Sequence, residues 1–287
     1  MMKNPYNILR YIVLAITVAL CTNTDAAQNM VKAETAATLS AKADSAYNSK
    51  NYTEAADLYK TIIKEYGVSS DIYYNLGNTY FRMGKIAQSV LAYERALKID
   101  PSNKDARINL DFVNTTLEDK PEDNSSILGK IHSEVIALMS PNAWAWTVFA
   151  LFVLIIGLIA IYLFLSNVTT RKVGFFGAMV LFIVLVYTTI VAYQSAAAID
   201  NNDIAIVTTP SANLTPAPSA KTDKTDKIVP VHEGTRLVII DSVNAASNDG
   251  AQLWYHVKVN NSTAAWIDAS HVERIRRWHL YQNLTIH

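Results

Sequence analysis

The sequence predicts a multi-domain membrane protein: an all-α helical-repeat solenoid, then two transmembrane helices, then an all-β small barrel. Three observations predict it. Aromatic and small residues recur every 34 positions within residues 36–118. Two uncharged apolar runs follow, at 144–166 and 173–199. Short apolar runs split by turn residues then fill 203–276.

The 287 residues carry 25 acidic and 25 basic side chains, so no net field points to nucleic acid. One cysteine, Cys21, excludes an intramolecular disulfide and a Cys-rich metal site. Residues 1–26 read as a signal peptide. Lys3 and Arg10 give a positive start, YIVLAITVAL is the apolar stretch, and Thr24 and Ala26 are the small residues before the cut. Cys21 leaves a lipoprotein signal as the alternative, against which Leu20 stands directly before it.

The stretch YYNLGNTYFRMGK, residues 73–85, poses a choice between a phosphate loop and a helical hairpin. A phosphate loop needs G-x-x-x-x-G-K-[ST]. Counting back from Gly84-Lys85, Thr79 stands at the first glycine position, and Ile86 stands where Ser or Thr belongs. The helical reading fits. Tyr73, Leu76 and Tyr80 share one face of a first helix, and Gly77 lets a second helix approach. Ser89, Tyr93 and Ala96 form the meeting face, Met83-Gly84-Lys85 is the turn, and Pro101 ends the second helix. Tyr59 and Ala55 precede Tyr93 and Ser89 by 34, with Ala43 in the Gly77 place. Leu110 and Asn109 follow Leu76 and Asn75 by 34. Residues 36–118 thus hold two hairpins and a capping helix, and resemble the tetratricopeptide repeat family.

That resemblance implies a hollow lined by the first helix of each pair. Its lining would include Asp44, Tyr47, Tyr74, Asn78, Phe81, Arg82, Ile108, Asn109 and Phe112. Exposed aromatics beside polar groups suit an extended peptide or a partner helix. The plainer alternative is that Phe81 and Phe112 pack on their neighbours and the asparagines bond adjacent backbone.

Residues 119–140 form a linker whose Ile127, Ile131, Val135 and Leu138 make one helix face. That helix lies along a membrane surface or docks on the domain before it. Ser140 caps the first span and Pro141 occupies its first turn. Trp144, Trp146 and Tyr193 fit one headgroup belt. Arg171 and Lys172 lie in the connection NVTTRK, and basic short loops stay cytoplasmic, so both flanking modules belong on the other side. The competing reading, a pair of buried core helices, lacks other segments apolar enough to surround them.

Residues 203–276 carry Ala205 and Val207, Pro218, Glu233-Gly234-Thr235, Val238, Trp254-Tyr255-His256-Val257 and Ala265-Trp266-Ile267. Strands are expected at KIVPV, RLVIID, LWYHVKV and AAWID, with an Asn/Ser/Gly loop after RLVIID. The order is similar to bacterial SH3-like domains, some of which bind cell-wall peptides. Ala265 stands where glycine is usual, and the NLTPAPS loop lacks the usual Arg and Gly.

The six histidines are scattered, with no H-E-x-x-H helix, no nucleophile turn and no metal set, so no catalytic residue, metal or cofactor is expected. The whole arrangement resembles the BatE-like family of the Bacteroides aerotolerance operon. The resemblance implies a non-enzymatic scaffold at the inner membrane, with repeats and SH3-like module in the periplasm. Its partners would be von Willebrand A-domain membrane proteins and other Bat proteins, in a system run with a MoxR-type AAA+ ATPase. The alternative is an envelope anchor whose SH3-like module binds peptidoglycan.

Overall fold

The computed structural model describes residues 35–120, 126–200, 203–218, 229–247, 250–259 and 264–275. The expected signal peptide with Cys21, and the KTDKTDK stretch, lie outside these. The chain divides into two compact units, Met1–Val68 and Ser69–His287.

The first unit holds α1 (residues 35–48) and α2 (Tyr52–Glu65). Ala43, Ala55 and Tyr59 are almost completely buried. The Tyr59 hydroxyl donates to Asp44 Oδ1 at 2.5 Å. The turn between the helices puts Lys50 at φ 62°, a left-handed conformation that glycine adopts without penalty.

The second unit opens with the hairpin α3 (Ser70–Arg82) and α4 (Ile86–Ile99), capped by α5 (Lys104–Thr116). Ser69 caps α3 through the Ile72 N–H, and Asn103 caps α5 through the Ala106 N–H. Tyr73, Leu76, Tyr93 and Ala96 are buried between the helices. A Cβ added to Gly77 would lie 2.6 Å from the Tyr93 ring, so the missing side chain sets the helix separation. Ser89 Oγ donates to the Gly77 carbonyl at 2.9 Å across the same gap. Gly84 turns the chain at φ 72°, 34 residues after Lys50. Ser70 Oγ reaches the Ala96 carbonyl and accepts from Asn103 Nδ2, tying helix starts and ends together around Pro101.

Two long helices follow α6 (Ile127–Ile136): α7 (Pro141–Phe164) and α8 (Val168–Asp200). Ser140 caps α7 through the Ala143 N–H, with Pro141 in the first turn as the sequence suggests. Both helices are long and apolar enough to cross a membrane. They are not core helices: α7 buries only Trp144 and Ile155, while Phe149, Phe152, Phe176 and Phe182 are exposed. The connection is shorter than NVTTRK implies, because α8 already begins at Val168. Arg171 therefore sits in its first turn, where Nε donates to the Tyr162 carbonyl at 3.2 Å and satisfies an open end of α7.

Among the described residues, the C-terminal module has seven strands: β1 (Ile204–Val207), β2 (Ser211–Leu214), β3 (Val229–His232), β4 (Arg236–Ser247), β5 (Gly250–Val259), β6 (Ala265–Asp268) and β7 (Val272–Arg274). They form an antiparallel five-stranded sheet, β6-β5-β4-β1-β7, and a two-stranded sheet, β2-β3. Val207, Leu214, Val231, Leu237, Tyr255, Val257 and Ile267 share one core. Residues 242–247 and 250–252, expected as loop after RLVIID, are instead strand. Pairing runs on through Val243↔Trp254 and Ala245↔Gln252, past a register shift between Ile239 and Asp241. Buried Trp254 gives the outer hairpin a cross-strand anchor, so the polar composition of 244–247 does not end the ladder.

This module is docked on the outer face of α4. Arg95 Nη2 contacts Glu273 Oε1 at 2.6 Å, Arg236 Nε contacts Glu94 Oε1 at 3.2 Å, and Lys98 Nζ donates to the Ile275 carbonyl at 2.8 Å. Just past α5, Leu117 packs against Gly234. Asp119 accepts from the His232 N–H and the Thr235 hydroxyl, both at 2.7 Å, and its carboxylate lies 3.2 Å from His232 Nδ1. Glu118 approaches the other ring nitrogen at 3.4 Å. Burial alone would raise the Asp119 pKa. The bonds from Thr235 and His232, and the charge of His232, outweigh it and hold the carboxyl below its ordinary value.

Three outcomes follow. Gly77→Ala gains roughly 1 kcal/mol of helix propensity but forces about 1–3 kcal/mol of overpacking against an enclosed ring. Net destabilisation is expected, read as a lower denaturation midpoint. Lys50→Gly relieves left-handed strain of about 1 kcal/mol and raises that midpoint. Because the Asp119 pKa is lower in the folded state, its contribution is complete above about pH 4 and fades as pH falls through the folded value. Amide-exchange protection at His232 will therefore fall with acid in the native chain, and Asp119→Asn will flatten that dependence.

Candidate functional site

The face of α3 and α5 turned away from α4 is the candidate site. On α5, Ala106, Leu110 and Val113 point inward and are buried. The helical period then forces Ile108 and Phe112 outward, where they are 64% and 58% exposed. Large apolar side chains this open on a short helix mark a surface with a use. The Phe81 ring meets Phe112 edge-on, with centroids 5.8 Å apart, and joins α3 to the same patch. Phe81 is half-buried and Arg82 is exposed beside it.

The remaining expected lining residues divide. Tyr74 is half-buried, its ring 6.3 Å from that of Tyr93. Asn78 has a different task from contacting a ligand. Its Oδ1 accepts from the Tyr93 hydroxyl at 2.6 Å and from Asn109 Nδ2 at 2.8 Å, which links α3, α4 and α5. Two donors on one oxygen leave that atom committed to packing. Asp44, 34 residues earlier, accepts the Tyr59 hydroxyl in the same way within its own unit. Tyr47, in the first unit, is half-buried with its ring 5.4 Å from Tyr52. Phe81 and Phe112 do pack on each other, as the plainer reading has it, yet Phe112 keeps most of its surface open.

The expected packing residues differ in burial. Tyr73, Leu76, Gly77, Tyr93 and Ala96 are buried, while Tyr80 and Pro101 are half-buried. The contacts of Glu94, Arg95, Lys98, Asp119, His232 and Glu273 were not foreseen. Charged residues on a helix's outer face carry the same sequence signal whether solvated or docked. Among the described residues, no group of three or more His, Cys, Asp or Glu side chains could hold a metal ion.

In the β module, Trp254 is buried in the hairpin, and the half-buried Trp266 ring stacks on His256 with centroids 4.6 Å apart. Burial closes Trp254 to a sugar or peptide, and His256 covers one face of Trp266.

What this arrangement can do is bind. One side of the α3–α4 hairpin is taken by the β module, and the other presents an aromatic and aliphatic patch edged by Arg82 and Asp111. No curated protein matches the chain. Residues 70–103, which make up α3, α4 and the approach to α5, match the tetratricopeptide repeat family. The chain therefore carries a tetratricopeptide repeat, a unit that serves as a scaffold for protein–protein interaction.

Proposed function

We propose that this chain is a non-enzymatic adaptor of the bacterial inner membrane, which grips a segment of a protein partner on the α3–α5 face. The observation that carries the reading is the pairing of a covered outer face with an open inner one. The β module occupies Glu94, Arg95 and Lys98, while Ile108 and Phe112 stay exposed. An apolar patch with a polar edge is what an amphipathic helix or an extended peptide with apolar anchors requires.

In this reading α7 and α8 cross the bilayer. Their exposed phenylalanines and aliphatic residues support it, because such a surface is costly in water. Arg171 and Lys172 at the α7–α8 turn favour the cytoplasm for that end, and the expected signal peptide agrees. Both other modules are then periplasmic, and we read the β module as SH3-like. The resemblance to the BatE-like family supplies the partners: von Willebrand A-domain membrane proteins and other Bat proteins, in an aerotolerance or envelope-stress complex served by a MoxR-type AAA+ ATPase. Peptidoglycan anchoring draws less support, since Trp254 is buried and the turn at Gly234 is engaged by Leu117 and Asp119.

Truncating central apolar anchors commonly costs more than 1 kcal/mol of binding each. Ile108→Ala with Phe112→Ala should therefore cut co-purification of the partner by roughly tenfold or more, with helicity and denaturation midpoint nearly unchanged. Tyr74→Ala with Arg82→Ala should weaken capture as well. Undiminished capture by the first pair rejects this face.

A further inference from the structure

The amphipathic helix α6 has no buried residue. Ile127, Leu128, Ile131 and Val135 fall within an arc of about 100° at 3.6 residues per turn. The first three are 77%, 78% and 56% exposed. A helix whose apolar arc packs on its own protein would bury that arc. Here the helix is fastened through a different side. His132 stands between two side chains of α8: its Nε2–H donates to Gln194 Oε1 at 2.5 Å, and its Nδ1 accepts from the Tyr187 hydroxyl at 3.3 Å in that tautomer. The Trp144 indole N–H donates to the Ile136 carbonyl at 3.2 Å, which fixes the end of α6 to the start of α7. The polar contacts thus spend the side of α6 that faces the long helices, next to half-buried Val135, and leave Ile127, Leu128 and Ile131 outward.

That arc is continuous with other apolar surface. Leu138 and Met139 carry it to Trp146 and Phe149 on α7, all exposed. We infer that α6 is an interfacial helix, seated in the headgroup–acyl boundary of the same bilayer that α7 and α8 cross. This inference rests on the membrane reading of those two helices. The opposite arc of α6, with Gly129 and Ser133 exposed and Lys130 exposed beside them, faces water, as such a helix requires. Seated so, α6 fixes the height of the repeat module above the membrane and restrains the linker that joins it to α7.

The test uses the full chain in phosphatidylcholine–phosphatidylglycerol vesicles, with Cys21→Ser and single cysteines carrying an environment-sensitive fluorophore. The positions are Leu128→Cys, Ile131→Cys, Ser133→Cys and Phe152→Cys. Labels at 128, 131 and 152 are expected to emit blue-shifted, those at 128 and 131 quenched by lipids spin-labelled near the headgroup or upper chain and that at 152 by lipids spin-labelled deep in the chain. The label at 133 stays water-like. If 152 responds to lipid while 128 and 131 stay water-like, the interfacial helix is wrong although the spans hold. If 128 and 131 are blue-shifted but escape lipid quenching, the arc is covered by protein, a second copy included, and the inference is likewise overturned. If 152 also stays water-like, the membrane reading itself fails.

Discussion

The contact of Tyr93 with the bare backbone of Gly77 governs the second unit. Any side chain at Gly77 would collide with the ring, and the ring cannot retreat because its hydroxyl is bonded to Asn78. Asn78 in turn receives Asn109 from the capping helix. One aromatic side chain thus sets the spacing of α3 and α4 and, through a single amide oxygen, the placement of α5. The orientation of Ile108 and Phe112 follows from that placement, since Leu110 and Val113 must face the hairpin.

The same hairpin geometry exposes the outer face of α4, and the chain uses it to hold its own C-terminal module. The joint is largely polar: two ion pairs, a lysine on the Ile275 carbonyl and the Asp119 clamp on the turn between β3 and β4. Each ion pair has one partner more than 40% exposed, Glu273 or Arg236, and pairs open to solvent on one side contribute little singly and are weakened by salt. Asp119 differs because it fills three donors of one turn, two of which are fixed by the backbone and by Thr235. A module held this way leaves the exposed side chains of Ile108 and Phe112 unobstructed.

Much of this was legible in the residues. The 34-position recurrence located the hairpins, because burial of Tyr59 and Tyr93 and closeness at Ala43 and Gly77 are demands of packing that repeat with the fold. Ser140-Pro141 gave the start of α7, since cap chemistry is local. Other features were hidden for stated physical reasons. Asp44 and Asn78 recur with the same period, but an outward arc alone does not reveal a hydroxyl arriving from the next helix. Lys50 takes the left-handed turn that Gly84 takes more comfortably, so composition concealed it. The extension of β4 and β5 depends on cross-strand pairing rather than on the polar residues between them. Contacts such as Asp119 with His232 join positions 113 apart, beyond any local pattern.

The central claim is that the α3–α5 face is a docking surface for another polypeptide. Its most direct test is a photo-crosslinking side chain at Phe112 in intact cells, compared with one at Lys258 on the exposed side of β5. The account predicts a discrete crosslinked product from position 112, carrying one membrane protein, and none of that product from position 258. The same product from both positions, or only lipid adducts from 112, would contradict it.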